Sequence, residues 1–256
     1  MKLATWNINS LTVRLPQVLD WLSANPVDVL VLQETKLTDD KFPRAEIEAA
    51  GYAVQWFGQK TYNGVALLSR QALGPATAVV KNIPGLDDAQ ARVITGTVGG
   101  IRVIGAYIPN GQAPDSDKFI YKLSWLDALR DYVRVELAAH PQLVLMGDYN
   151  IAPEDRDVYD PVAWAGQVLC TPQERAHFQG LLGLGLADAF RLFEQPPKPW
   201  TWWDYRNLAF RKNQGLRIDH ILVSETLRPL VKTCVIDKLP RKNERPSDHA
   251  PVVLEL

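Results

Sequence analysis

The sequence predicts an α/β fold in which a largely buried β-sheet is covered by amphipathic helices. Two observations carry this. Short runs rich in Val, Ile and Leu recur at 27–33, 65–69, 102–108, 142–146, 218–223 and 251–256, most of them bounded by turn or breaker residues, which is the pattern of strands. These runs are continuous rather than alternating, as expected where both faces of a sheet are covered.

Between the runs lie helical patterns. A helix is expected over 15–24, where Val18, Leu19 and Leu22 share one stripe, and a long one over 119–138, with Leu123, Leu126, Leu129, Val133 and Leu137 in register. A third is announced by Thr171-Pro172-Gln173-Glu174: the threonine can cap, the proline suits the first turn, and the glutamate completes a capping box. Gly180 and Gly185 bracket its exit. No internal repeat or low-complexity tract interrupts the chain. The best linker, Pro196-Pro197-Lys198-Pro199, is too short to separate domains, so one domain spanning 1–256 is expected.

Composition narrows the class. With 46% hydrophobic and 22% charged residues the chain is of ordinary globular type. Cys170 and Cys234 have no metal-ligand spacing, and neither a signal-peptide h-region nor a membrane-length apolar run is present. A cytoplasmic, monomeric protein that does not engage membranes is expected. The net charge of −1 gives no overall basic footprint for nucleic acid. Locally, Arg206, Arg211, Lys212 and Arg217 fall together, as do Lys238, Arg241, Lys242 and Arg245. Two readings stand for these clusters: solvated loops, or a rim that holds phosphates.

Polar residues at strand ends are where such folds place their chemistry, because the strand fixes position and the loop gives access. Here these are Asn7, Glu34, Tyr107 with Asn110, Asp148 with Asn150, and Ser247-Asp248-His249 before the last run. Singly, each has an ordinary use as a cap, turn or core residue. Asp219 differs, because a carboxylate inside an apolar strand needs a partner, and His249 is the candidate. Together the set suits phosphodiester hydrolysis. Carboxylates and amide oxygens are hard ligands for Mg²⁺ or Mn²⁺. Asp148 can orient or deprotonate a water that Asn150 positions, a His249 held by Asp219 supplies a positioned cation, and Tyr107 adds a hydrogen bond. No Walker loop, GxGxxG, GxSxG or HExxH occurs, and the four histidines have no paired spacing for zinc.

The blocks WNINSLTVR, LQETK, GVALLSR, YIPNG, GDYN, TPQER, TWWDYR, RIDHILVS and SDHAPV follow one another between residues 2 and 254. In this order they resemble exonuclease III and its relatives among the abasic-site endonucleases. The resemblance implies a four-layered α/β sandwich of the DNase I-like kind, with two packed β-sheets flanked by helices. It implies a metal-dependent enzyme that cuts duplex DNA 5′ to abasic sites, removes 3′ blocks and acts as a 3′-to-5′ exonuclease while associated with the nucleoid. Glu34 becomes the principal metal ligand, with Asn7 and Asp248 nearby and Asp148, Asn150 and His249 completing the set. Tyr107, Asp148, Asn150, Asp219 and His249 become the catalytic residues. Asn110 contacts DNA, Trp202 walls the pocket for an extrahelical abasic sugar beside Leu216 and Ile218, and Arg206, Arg217 and Arg245 are further DNA contacts. Lys36, Lys118 and Lys122 are weaker ones.

Three features depart from the family pattern: Tyr149 within GDYN, His220 after Asp219, and the segment 157–170, DVYDPVAWAGQVLC, which carries Trp164 and Gln167. Such a loop borders the substrate pocket, so it leaves open a specialised 3′-phosphatase or exonuclease with little abasic-site cleavage. A phosphoinositide-type phosphatase and a non-catalytic DNA-binding module are the remaining alternatives.

Overall fold

The computed structural model describes residues 1–256. Twelve strands form two six-stranded sheets. The first holds β1 (Lys2–Asn7), β2 (Val29–Gln33), β3 (Tyr52–Phe57), β4 (Val65–Arg70), β11 (Thr233–Ile236) and β12 (Val252–Glu255), in the spatial order β11-β12-β1-β2-β4-β3. The second holds β5 (Thr77–Lys81), β6 (Val93–Val98), β7 (Ile101–Tyr107), β8 (Leu143–Asp148), β9 (Leu186–Asp188) and β10 (Asp219–Ser224), in the order β5-β6-β7-β8-β10-β9. Pairing is antiparallel except for β1 with β2 and β7 with β8, which are parallel. The helices are α1 (Leu11–Ala24), α2 (Arg44–Ala49), α3 (Asp117–Ala139), α4 (Pro161–Trp164), α5 (Pro172–Leu182) and α6 (Ala209–Lys212).

Strand periodicity explains the layering. Successive side chains point to opposite faces, so Leu3, Val29, Val31, Val65 and Leu67 meet Val103, Val144, Met146, Ile221 and Val223 between the sheets. Their neighbours Ala4, Trp6, Leu30, Leu32 and Leu68 face outward under Val18, Trp21 and Leu22 of α1. On the far side Ile104, Leu143, Leu145 and Leu222 lie beneath Leu126, Leu129 and Val133 of α3 and Phe178 and Leu181 of α5. The result is helix, sheet, sheet, helix: the four-layered sandwich that the motifs imply. The sheets approach so closely that a β-carbon on Gly105 would lie 2.4 Å from Val31 Cγ1. Each aliphatic side chain fully buried between them contributes about 1.5–3 kcal/mol.

All six expected runs are strands, within two residues at either end. Of the remaining strands, β9 has three residues, β3 is an edge strand, β5 is half-exposed and β11 alternates exposed and buried positions, whereas β1 and β6 are almost wholly buried, β6 being interrupted by Gly96. The first helix begins at Leu11 rather than 15, with Pro16 inside it. That proline removes one backbone donor, and tertiary packing of Val18, Trp21 and Leu22 outweighs the loss. The capping box of α5 forms as expected, with Thr171 Oγ1 accepting from the Glu174 N–H at 3.2 Å and Glu174 Oε2 accepting from the Thr171 N–H at 3.0 Å. No helix is long and apolar enough to cross a membrane.

Candidate active site

Register brings the strand-end residues to one end of the sandwich. Tyr107 pairs with Asp148 across β7 and β8, and Asp148 with Asp219 across β8 and β10, so one row of the second sheet carries all three. In the first sheet Asn7 ends β1 opposite Gln33 of β2, which delivers Glu34 one residue later. The turns that follow are tight. Asn9, Ser10, Glu34 and Asn150 take positive φ values of 43°, 96°, 54° and 49°, backbone strain of the kind that clusters at functional sites.

Glu34, Asp148 and His249 place ligand atoms within 4.8 Å of one another. The Asn7 carboxamide donates to Glu34 Oε1 at 2.8 Å and to Asp148 Oδ2 at 2.9 Å. Its own oxygen accepts the Asn9 N–H at 3.0 Å, so Asn7 braces the two carboxylates and keeps one oxygen lone pair free of these contacts. Asn150 is also held by several hydrogen bonds. Its N–H donates to Asp148 Oδ1 at 2.9 Å, its amide donates to the Ile108 carbonyl at 3.0 Å, and its oxygen accepts from Asn110 Nδ2 at 3.2 Å.

His249 sits between two acids. Its Nδ1 is 2.9 Å from Asp219 Oδ2, and its Nε2 is 3.8 Å from Asp148 Oδ2. The hydroxyl of Thr201 accepts the N–H groups of both Ile218 and Asp219, each at 3.0 Å, which locks the start of β10. Burial works against a charge on His249, yet Asp219 and Asp148 outweigh it and raise its pKa to about 10. Burial pushes Asp148 up to about 7; Asp219 adds to this, and His249 and Asn7 oppose it. Burial, reinforced by Glu34 and Asp148, holds the Tyr107 hydroxyl well above the phenol range, so it stays a donor.

Asp248 lies outside the trio. Its Oδ1 accepts from Asn9 Nδ2 at 2.9 Å and its Oδ2 from the Trp202 indole at 3.0 Å. Burial opposes its charge, but His249 and these two hydrogen bonds keep its pKa below the usual value. The Trp202 ring is partly buried against Ala152, Val158, Leu169, Cys170, Leu216 and Ile218, where Trp164 and Val168 of the 157–170 segment also pack.

Several expectations need correction. Arg217 is only 1% exposed. It pairs with Asp157 at 2.6 Å and Asp188 at 2.8 Å beneath the surface, so it is a structural cation and not a DNA contact. Leu216, with no exposed surface, backs Trp202 from below. Lys122 is fully buried against Glu174. Arg241 of the second basic cluster is buried and stacks against Phe210. Arg206, Arg211, Lys212, Lys242 and Arg245 remain exposed. The charge pattern could not separate the two groups, because an arginine needed inside is written with the same letter as one on a rim.

Two features of the site go beyond the strand-end residues. Asn9 bridges Asp248 to Lys36, whose ammonium also lies 2.7 Å from Glu34 Oε2. The Asn-Ser turn directly after β1 is the sequence signal for it. Beside Tyr107 and Asn110 a polar cavity of about 600 Å³ opens, lined also by Gln59, Tyr62, Arg92 and Lys118.

The donor set fits a divalent cation. Two carboxylates converge beside a protonated imidazole, with only Lys36 and His249 to offset the acids, and hard oxygens are what Mg²⁺ and Mn²⁺ select.

Comparison with known proteins gives the family. Residues 4–249 match the model of the endonuclease/exonuclease/phosphatase family. Exodeoxyribonuclease III of Haemophilus influenzae is 36% identical, over 100% of this chain and 99% of that protein. A 3′ phosphatase from Neisseria, solved bound to a product DNA hairpin, superposes with a TM-score of 0.97 at 50% identity, covering 100% of this chain and 99% of that one. An AP endonuclease from Archaeoglobus fulgidus superposes at 0.94 with 36% identity, covering 99% and 98%. The chain therefore belongs to the endonuclease/exonuclease/phosphatase family and, within it, to the exonuclease III group.

Proposed function

We propose that this protein is a DNA-repair nuclease that hydrolyses phosphate esters in duplex DNA, removing 3′ phosphates and 3′-terminal nucleotides and cutting 5′ to abasic sites. The observation that carries the reading is the convergence of Glu34, Asp148 and His249, braced by Asn7 and with Asp219 behind the imidazole. Mg²⁺ or Mn²⁺ would be held by Glu34 as principal ligand and, when bound, would supply charge neutralisation at the phosphoryl oxygens.

The chain's own groups divide the rest of the work. Asp148 takes the proton of the attacking water, and its environment, with a pKa near 7, suits a base working at neutral pH. Asn150 and Asn110 form a hydrogen-bonded pair that keeps that side of the cleft in register. His249 carries its proton through the neutral range, so its Nε2–H donates to a phosphoryl oxygen as negative charge accumulates there. Tyr107 adds a neutral donor, and the Asn7 amide holds the two carboxylates in place. Attack forms a new P–O bond to the water oxygen and breaks the bond from phosphorus to the DNA 3′ oxygen, which leaves with the bonding pair and takes a proton from solvent to become a hydroxyl.

Exposed Arg206, Arg211, Lys212 and Arg245 hold phosphates along the duplex, and the cavity beside Tyr107 takes the strand that continues past the reacting phosphate. Trp202 stands where an extrahelical sugar would stack.

Labelled duplexes carrying an abasic analogue, a 3′ phosphate or a plain recessed end, each with Mg²⁺ or EDTA, test this reading. Metal-dependent product from at least one duplex is expected. Cleavage of none, or faster hydrolysis of a soluble phosphoinositide, would reject it.

A further inference from the structure

Lys122 and Glu174 belong to neither the metal cluster nor the DNA rim, yet they lie directly behind both. Their side chains are fully buried and meet at 2.5 Å. The Lys122 ammonium has three protons and three acceptors: Glu174 Oε1, the Asn150 carbonyl at 2.7 Å and the Asn110 carbonyl at 3.1 Å. Glu174 in turn accepts the Leu169 N–H at 3.0 Å, the Thr171 N–H at 3.0 Å and the Thr171 hydroxyl at 2.7 Å. One ion pair thus gathers the backbones of three segments: the 107–111 turn, the 148–150 turn and the end of the 157–170 loop. The 107–111 turn presses on it from the side, for a β-carbon on Gly111 would meet Lys122 Cδ at 3.1 Å and Val168 Cγ2 at 3.3 Å.

Stability alone does not account for such a pair. Desolvating two charges costs about as much as their attraction returns, and apolar replacements of similar size are often neutral or better. What apolar side chains cannot do is donate to two carbonyls and accept from two amides at once. We propose that Lys122 and Glu174 are positioning residues that hold the Asp148–Asn150 turn, the Asn110 turn and the 157–170 loop in one catalytic register. The proposal rests on Asp148 and Asn150 forming the water-activating side of the site.

The test compares wild type with Lys122→Met, Glu174→Met and the double variant, measuring melting temperature and kcat and KM separately on a 3′-phosphate duplex with Mg²⁺. Each single variant leaves one buried charge alone and is expected to melt lower. The double variant leaves no lone charge but strips the Asn110 and Asn150 carbonyls and the Leu169 and Thr171 amides of their partners, so it too is expected to melt below wild type, while kcat falls about 10- to 100-fold, the scale of a misplacement near 1 Å, with KM changed less than about threefold. A folded double variant with unchanged kcat overturns the proposal. If the double variant does not fold, Gly111→Ala decides: it keeps both charges but pushes the turn off Lys122, and an unchanged kcat there also overturns it. Asp148→Asn runs alongside. If that variant cuts like wild type, the site assignment beneath the proposal fails; if it is inactive while the double variant is fully active, only the positioning role fails.

Discussion

Lowering the pH from 7 to 5 should destabilise this protein through His220. That imidazole is 1% exposed, packed edge-on against Tyr149 and Phe178, with Nε2 2.9 Å from the Ile151 carbonyl and no partner for Nδ1. Burial, aided by the nearby Arg217 charge, lowers its pKa from 6.5 to about 4. The sign follows from proton counting: between these values the unfolded chain binds a proton that the folded chain refuses, so stability falls as pH falls. At pH 5 the unfolded imidazole is almost fully protonated and the folded one scarcely, which removes about 2 kcal/mol of the stability present at pH 7. Asp148 titrates in the opposite sense, since its folded pKa is raised. A His220→Phe variant keeps that contribution, so the difference between the two proteins isolates the histidine. The variant loses the Ile151 hydrogen bond, a cost of about 1 kcal/mol at every pH. Urea unfolding at both pH values is the assay. With a slope near 3 kcal/mol/M, the wild-type midpoint should drop by about 0.7 M more than that of the variant. Parallel shifts in the two proteins would refute the burial argument.

The remaining predictions concern the site and its surroundings. Asp219→Asn removes the anion behind His249 and should lower kcat about 10²- to 10³-fold at neutral pH with little change in duplex affinity, read by single-turnover cleavage and filter binding. The His249–Asp219 pair stabilises the fold most below pH 6.5 and loses that contribution as pH rises through about 10, so between pH 7 and 10 the urea midpoint of wild type should fall more steeply than that of a His249→Leu/Asp219→Leu variant. Trp202→Ala should slow abasic-site incision more than 3′-phosphate removal, and equal losses in the two assays would remove Trp202 from substrate choice. Arg217→Met leaves Asp188 without its cation and Asp157 with Arg191 alone, and should cost about 3–5 kcal/mol in unfolding experiments. Arg206→Ala, at an exposed residue paired with Asp204, should leave stability unchanged and reduce the salt slope of DNA binding by about one.

The fold and the polar site differed in how far the sequence exposed them. Buried central strands such as β2 and β8 announce themselves because Val29–Leu32 and Leu143–Met146 are unbroken apolar runs, whereas β3 and β11 have one covered face and resemble loops. The second sheet was invisible to periodicity. A strand facing another sheet and a strand facing a helix carry the same residues, and only the motif order implied two sheets. Among site residues, Asp219 was readable because a carboxylate in an apolar strand needs a partner, and the structure supplies His249 at 2.9 Å. Arg217 and Lys122 misled for the converse reason. Each is a cation whose partner, Asp188 or Glu174, lies 29 or 52 residues away in sequence, and neither pairing follows a local period. Two of the three family departures explain each other: the rings of Tyr149 and His220 meet edge to face, 5.1 Å between centroids, and form one aromatic contact.

Whether the cluster of Glu34, Asp148 and His249 performs metal-assisted hydrolysis of DNA is the central question. The most direct measurement is single-turnover cleavage of a duplex bearing one 3′ phosphate and one internal abasic analogue, with wild type and Asp148→Asn purified side by side, each with Mg²⁺ and with EDTA. Wild type is predicted to release product only with the metal, and Asp148→Asn to bind the duplex but cut at least about 10²-fold more slowly. Equal cleavage by the two proteins, or cleavage by wild type undiminished in EDTA, would contradict it.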